Sequence, residues 1–317
     1  MNFNTEFNNK HKSVMLKEAI NFLNVRDDLY YIDATFGRGG YSKEILKKAN
    51  SNLISLDIDP SVTSFAKDLK DKYGKRFSFI KENFKNIKKI LKDKKINTIN
   101  GGIVLDLGVS SMQIDNSNRG FSFMKDGPLD MRMSDFGITA QDIIYSLSEK
   151  ELSNTIWTYG EEKSSRAIAR LIVKERSLYK IDSTFKLADI VKKAKKFNKK
   201  TKIHPATKTF QALRILVNNE LKSLNDFLKD SKNLLAPGAR IVIVTFHSLE
   251  DRIVKFFFNK ISGELSNANR HLPNEIKKKI YKFKKINKKP IVPKQEEIKI
   301  NIRSRSAKLR AVERIAG

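Results

Sequence analysis

An open, doubly wound α/β sheet, mostly parallel, with an antiparallel hairpin at its C-terminal edge and a helical insertion, is the fold class this sequence predicts. Three observations lead there. Over the first hundred or so residues, short apolar runs rich in β-branched side chains alternate with stretches of helical period, the signature of βαβ units and a parallel sheet. From 113 to 202 that alternation stops, leaving loops and helical patterns. Near 239 it resumes, and the chain closes on two adjacent extended stretches.

The elements follow in order. Strands are expected at 30–34, 52–58, 76–81 and 102–107, with helices at 41–49, 61–73 and 84–94 between them. Ser61, after Pro60 and before an apolar-periodic stretch, has the look of an N-cap. The insertion reads as helices at 139–145, 149–159, 163–176 and 184–197. One amphipathic helix is expected over 207–228, with Leu213, Val217, Leu221, Leu224 and Leu228 on a single face. Pro237-Gly238 turns into a buried strand at 239–246, and a helix follows at 248–258, opened by the capping-box pattern Ser248-Leu-Glu-Asp251. After a lysine-rich linker, Ile298, Ile300 and Ile302 alternate to one side, 303–306 turns and 308–315 returns, which predicts an edge hairpin. The expected domains are therefore 1–112 with 203–317, and an insertion at 113–202.

Composition narrows the function. The 317 residues contain no cysteine, which excludes a disulfide scaffold and a cysteine nucleophile. The N-terminal residues lack an apolar core, and no run approaches the roughly 18 apolar residues of a membrane helix, so a cytoplasmic chain with no membrane partner is expected. A net charge of +28 attracts polyanions at long range, and nucleic acid leads the candidates. Lysine supplies most of that charge in a chain also rich in Asn and Ile, a pattern that AT-rich coding produces as well. Basic runs at 192–202 and 277–289, the second interleaved with Tyr281 and Phe283, suit phosphate contacts, although solvated tails look the same.

The sharpest local feature is the run from Tyr30 through Asp33 and Phe36-Gly37-Arg38-Gly39-Gly40 to Tyr41: strand, acid, glycine-rich turn, helix start. In an open α/β sheet such a turn sits at the carboxyl end of the first strand, where ligands bind. The dinucleotide fingerprint fails beyond Gly39, which weakens a nicotinamide reading. Asp57 closes the second strand, where a carboxylate accepts both hydroxyls of an adenosyl ribose; Asp59 before Pro60 is a turn-former. Phe84 after the third strand either faces an adenine or packs in the core. Asp106, in Leu105-Asp106-Leu107-Gly108, ends the fourth strand and faces the reaction centre of such a fold. Two loops follow, Arg119-Gly120-Phe121-Ser122-Phe123 and Asp126-Gly-Pro-Leu-Asp130-Met131-Arg132-Met133. Their Phe121, Phe123, Met131 and Met133 beside Arg119 and Arg132 combine stacking faces with cations, as an unstacked base requires.

With the segments from His204 to Arg214 and from Thr245 to Arg252, these motifs resemble the bacterial small-subunit ribosomal RNA cytidine N4-methyltransferases, the RsmH or MraW family. The similarity runs nearly end to end, from His11-Lys-Ser-Val-Met-Leu through Tyr159-Gly-Glu-Glu to Arg303-Ser-Arg-Ser-Ala-Lys-Leu-Arg. The resemblance implies a Rossmann-like class I methyltransferase domain using S-adenosylmethionine, with a small inserted helical domain for substrate recognition. Carried over by position, the cofactor contacts are Gly39, Gly40, Tyr41, Asp57, Phe84, Asp106 and Gln113. Tyr41 stands where the family usually has His, so a contact through the backbone would survive and one through an imidazole would not.

The implied reaction moves the sulfonium methyl to the exocyclic N4 amine of a cytidine in the decoding (P-site) region of 16S ribosomal RNA, within the assembled small subunit, by a monomer or homodimer. That amine is a poor nucleophile, its lone pair being delocalised into the ring, and the Asp/Asn-Pro-Pro-aromatic segment common among amine methyltransferases is replaced by Asp106-Leu-Gly-Val. Asp106 is the candidate catalytic residue, and Asp130, Arg132, His204, Arg214 and His247 are candidate substrate contacts. His204 and His247 have bland readings too, the first as a helix-entry residue held by Pro205 and the second as a satisfied strand-end histidine, and Ser248 is assigned to capping. No metal is expected, since sulfonium transfer needs none and no His/Cys cluster suggests one. Two alternatives stay open: a non-catalytic ribosome-assembly factor on the same fold, and a dehydrogenase using the same strand-end acid.

Overall fold

The computed structural model describes residues 13–195, 203–264 and 281–315. Two compact units make up the chain, 1–108 with 222–317, and 109–221.

The first unit opens with α1 (Leu16–Leu23) and continues β1 (Tyr30–Asp33), α2 (Gly40–Lys48), β2 (Asn52–Asp57), α3 (Thr63–Tyr73), β3 (Phe77–Lys81), α4 (Ile87–Asp93) and β4 (Gly102–Asp106). The second contains α5 (Ser111–Asp115), α6 (Ala140–Ser146), α7 (Glu149–Gly160), α8 (Ser165–Leu178), α9 (Thr184–Ala194) and α10 (Thr207–Asn218). α11 (Glu220–Leu234) then leads back to the first unit, which ends with β5 (Arg240–Thr245), α12 (Ser248–Ile261), β6 (Phe283–Lys285), α13 (Gln295–Ile300) and β7 (Lys308–Arg314). Among the described residues no helix is long and apolar enough to cross a membrane.

The sheet runs β3-β2-β1-β4-β5-β7-β6, parallel through β5, with β7 antiparallel to both of its neighbours. This is the doubly wound, Rossmann-like order of class I methyltransferases, and strand direction of travel reverses between β1 and β4. β4 and β5 are buried along nearly their whole length, which is why they read as unbroken β-branched runs. Ile103, Leu105, Ile241 and Ile243 join Leu224, Phe227 and Leu228 of α11 in one core. A separate core fills the helical unit: Ile156 of α7, Ile168 and Ile172 of α8, Leu187 of α9, and Phe210 and Leu213 of α10. Gly160 lets α7 approach α10 closely, since a Cβ there would lie 2.5 Å from the Lys208 carbonyl oxygen.

Four expectations need correction. The single helix over 207–228 is two helices, broken at Asn219, whose left-handed backbone (φ 49°) ends α10. Because Phe210, Leu213 and Val217 bury in the helical core, α10 belongs to that unit, and the insertion spans 109–221 rather than 113–202. The C-terminal hairpin is built from β6 and β7; the alternating residues from Glu297 form α13 and a short 3-10 turn. Alternation misled there because Ile300 and Ile302 stay exposed (70% and 61%) instead of facing a core. Finally, the caps sit one or two residues earlier than read: Asp59 accepts from the Ser61 amide, and His247 caps α12 in a box with Glu250.

Candidate functional site

β1, β2 and β4 each end in an aspartate: Asp33, Asp57 and Asp106. The turn after β1 passes over these strand ends. Gly39 has φ 72°, and a Cβ on it would meet the Phe36 ring at 2.8 Å; one on Gly40 would strike Ser13 Oγ. Gly37 donates its amide to Asp57 Oδ2 (2.7 Å), and Asp59 donates to Asp57 Oδ1 (2.9 Å). Each Asp57 oxygen keeps a lone pair for a diol. Burial, ahead of these two bonds, pushes the Asp57 carboxyl up to about 6.

Asp33 is fully buried; it accepts from Ser42 Oγ (2.6 Å) and the Thr35 amide (3.3 Å), and burial pushes it up to about 6 as well. Asp106 is different. Its backbone N–H donates to Thr35 Oγ1 (2.7 Å), but its side-chain Oδ1 is buried without a hydrogen-bond partner. Burial first, then the charges of Asp33, Glu250 and Glu297, raises its pKa far above the ordinary carboxylate value. An unmatched buried acceptor among like charges is what a cationic group or an N–H donor would satisfy, so the residues present fit a sulfonium cofactor and an amine substrate.

Tyr41, in the first turn of α2, is buried, and its hydroxyl donates to the Val14 carbonyl oxygen. The side chain thus serves the fold, while the amides of this first helical turn lack intrahelical partners by geometry. Phe84 lies half-buried in a 3-10 turn after β3, edge-on to Phe227 at 5.8 Å, so part of its ring is already core. His247 caps α12: its Nδ1 accepts from the Glu250 amide (3.4 Å) and its Nε2 lies 3.2 Å from Glu250 Oε1. Asp251, next along α12, is held by Arg310 and Lys308 of β7, with Arg310 Nε at 2.7 Å.

The candidate residues of the helical unit are paired among themselves. Asp130 accepts from Arg132 Nε (2.8 Å) and Nη2 (2.7 Å), which holds the carboxyl below its ordinary value against the effect of burial. Arg214 grips Glu220 through Nε and Nη2, both at 2.8 Å. His204 accepts from the Ala206 amide (3.2 Å) and stacks on Phe123 at 4.4 Å; burial, then Lys192 and Lys195, lowers its pKa. Gln113 closes a capping box with Ser110 at the start of α5.

The proposed stacking loop therefore differs from its reading. Met131 is fully buried, Phe123 is covered by His204 and met edge-on by Phe210, and Arg119 donates to the carbonyls of Arg132 and Met133 while lying over Phe121. Of the basic runs, 196–202 and 277–280 lie outside the described residues, and Lys285 is engaged by Asn259 and Glu264. Sequence reasoning missed Glu250 and Glu297 as neighbours of Asp106, since neither lies near it in the chain and Glu297 sat in a stretch read as strand.

The MraW methylase family model matches residues 8–315. The small-subunit ribosomal RNA methyltransferase H proteins of Rickettsia rickettsii (strain Sheila Smith) and Rickettsia bellii are each 48% identical over 306 residues, 96% of this chain and 98% and 99% of theirs. Among solved structures, an rRNA methylase from Streptococcus thermophilus aligns over 95% of both chains with a TM-score of 0.43 and 9% identity, too distant to bear on the site. The family match over nearly the whole length makes S-adenosylmethionine the methyl donor, and the chain belongs to the MraW methylase family.

Proposed function

We propose that this protein methylates the exocyclic N4 amine of a cytidine in the decoding region of 16S ribosomal RNA, acting on the small ribosomal subunit. The names of its relatives, ribosomal RNA small subunit methyltransferases, support the substrate class, and the net charge of +28 supports a polyanionic partner. One observation carries the chemistry: the unmatched Oδ1 of Asp106 at the carboxyl end of β4.

When bound, S-adenosylmethionine supplies an electrophilic methyl group and a positive charge. In this reading Asp57 accepts the ribose hydroxyls, the Gly40 and Tyr41 amides at the start of α2 face the cofactor carboxylate beside Gly39, and Phe84 borders the adenine. Burial and the neighbouring carboxylates favour the neutral acid at Asp106, and a cation bound beside it would favour the carboxylate. Asp106 Oδ1 then accepts an N–H of the cytidine amine. That bond would turn the nitrogen lone pair out of conjugation, and Asp106 would take up the proton that the amine releases when its new N–C bond replaces the donor's S–C bond and a neutral thioether leaves. Gln113 is a further cofactor contact, and substrate recognition falls to Asp130, Arg132, His204, Arg214 and His247, whose existing partners hold them in place. A base within folded RNA must be splayed out to be reached, so the particle rather than a free nucleoside is the substrate.

The test is transfer of labelled methyl to small subunits from a strain lacking the modification, with nucleoside analysis. Label in N4-methylcytidine is expected. Label in another nucleoside overturns the N4 assignment, and absence of both transfer and donor binding returns the chain to the assembly-factor reading.

A further inference from the structure

The segment Ser13–Met15 has no part in the chemistry above, yet it is held unusually tightly. Val14 and Met15 are buried, and Met15 adopts a left-handed backbone (φ 52°) that non-glycine residues rarely take. Such a conformation persists only where the surroundings over-determine it. Here they do so through separate parts of the chain. The Tyr41 hydroxyl of α2 donates to the Val14 carbonyl, and the Met15 amide donates to Glu297 Oε1 of α13 at 2.7 Å. Gly40 is approached so closely by Ser13 that a Cβ would lie 2.0 Å from its Oγ. The segment thus lies against the glycine turn, and the carboxylates of Asp106, Asp33 and Glu297 are all within electrostatic reach of the Tyr41 ring.

We propose that Ser13–Met15 forms a wall of the S-adenosylmethionine site and that Tyr41 and Glu297 are its positioning residues, acting on the cofactor through this segment. The inference rests on the cofactor reading of the glycine turn. It also accounts for tyrosine at position 41: its side chain is spent on the wall, and the helix-start backbone is left to face the ligand. α13, misread as a strand, gains a purpose, since a helix there aims Glu297 at the Met15 amide.

The test uses the full chain with Glu297→Ala, Glu297→Gln and Tyr41→Phe, measuring amide exchange at 13–15 without donor and S-adenosylmethionine affinity by calorimetry. Glu297→Ala is expected to speed exchange at Met15 and weaken donor affinity about tenfold, or about 1.4 kcal/mol. Glu297→Gln, which keeps an acceptor oxygen for the Met15 amide and loses the charge, should leave exchange at Met15 near wild type and weaken donor affinity clearly less than Glu297→Ala does. Tyr41→Phe should weaken affinity several-fold and supplies the same test if Glu297→Ala fails to fold. Faster exchange with unchanged affinity would show that the segment is no wall; weaker affinity with unchanged exchange, or Gln as harmful as Ala, would show that Glu297 acts by charge. Failure of the wild-type chain to bind donor would instead overturn the cofactor reading itself.

Discussion

The ends of the sheet and the helical unit treat buried charge in opposite ways. In the helical unit Asp130 meets Arg132, Glu220 meets Arg214 and Glu162 meets Lys195, each at 2.8 Å or less. At the strand ends three aspartates gather, and the most deeply perturbed of them, Asp106, has a buried oxygen with no partner. Paired charge makes a scaffold that is stable as it stands. Unpaired buried charge costs stability and is kept where a ligand or substrate completes it. On the function proposed above, the difference separates residues that do chemistry from residues that hold shape, even though the sequence motifs of both are equally conspicuous.

The strongest way to break this contrast is Asp106→Asn. Methyl transfer should fall about 10³-fold, some 4 kcal/mol in barrier, while the free protein gains about 1 kcal/mol of stability as a buried ionisable group is removed. Loss of activity accompanied by a lower Tm would place Asp106 in the scaffold. In the wild type, the transfer rate should climb with pH as Asp106 ionises from its raised value, and the Asn variant should show no such limb. Asp57→Ala should weaken S-adenosylmethionine binding about a hundredfold, roughly 3 kcal/mol for two hydroxyls left without their acceptor, with RNA affinity nearly unchanged. Calorimetry returning wild-type donor affinity would remove the ribose assignment.

Asp33 sharpens the comparison through pH. Its folded pKa of about 6 lies above the ordinary 3.8, so the folded chain holds the proton more tightly than the unfolded one. Stability from this group is complete below pH 3.8 and is lost as pH rises through about 6, by roughly 3 kcal/mol for about two units of difference. Denaturant unfolding of Asp33→Asn between pH 4 and 7 should show that loss flattened. In the helical unit, Glu220→Ala removes the carboxylate that Arg214 grips, with the side chains only 9% and 15% exposed, and should cost about 2–3 kcal/mol. A smaller cost than an exposed ion pair's would mean the pairing is not what holds α10 to the start of α11.

The sheet was legible because its physics is local. Apolar runs such as Ile241–Val244 and turns such as Gly37–Gly40 state their conformation in neighbouring residues, and Asp33, Asp57 and Asp106 were each readable as strand ends. Misreadings arose where a distant partner decides the outcome. Asn219 interrupts an amphipathic pattern that continues on both sides, so the face alone could not show the break. Glu297 lies in a helix and accepts a bond from an amide 282 positions away, and Ile300 gives no sign that it will face solvent. Arg132 and Phe123 are conspicuous in the sequence, but whether an arginine is open to RNA or closed on Asp130 depends on a loop geometry that composition does not carry.

That last ambiguity sets the smallest and most discriminating effect. Asp130 and Arg132 are about a quarter exposed (23% and 26%), so water screens their attraction, but the two-pronged geometry adds direction. A double-mutant cycle with Asp130→Ala and Arg132→Ala should give a coupling of about 1 kcal/mol in unfolding free energy. The same four proteins should then be compared in RNA binding. If the pair is scaffold alone, affinity should follow the fraction folded and vanish as a difference once each protein is fully native. If Arg132 also meets phosphate or base, its single variant should bind more weakly even when fully folded, and the salt dependence of binding should flatten by somewhat less than one unit for the lost contact. Only the second outcome would place a working residue among the paired charges, and it would narrow the rule to one about buried carboxylates rather than charge in general.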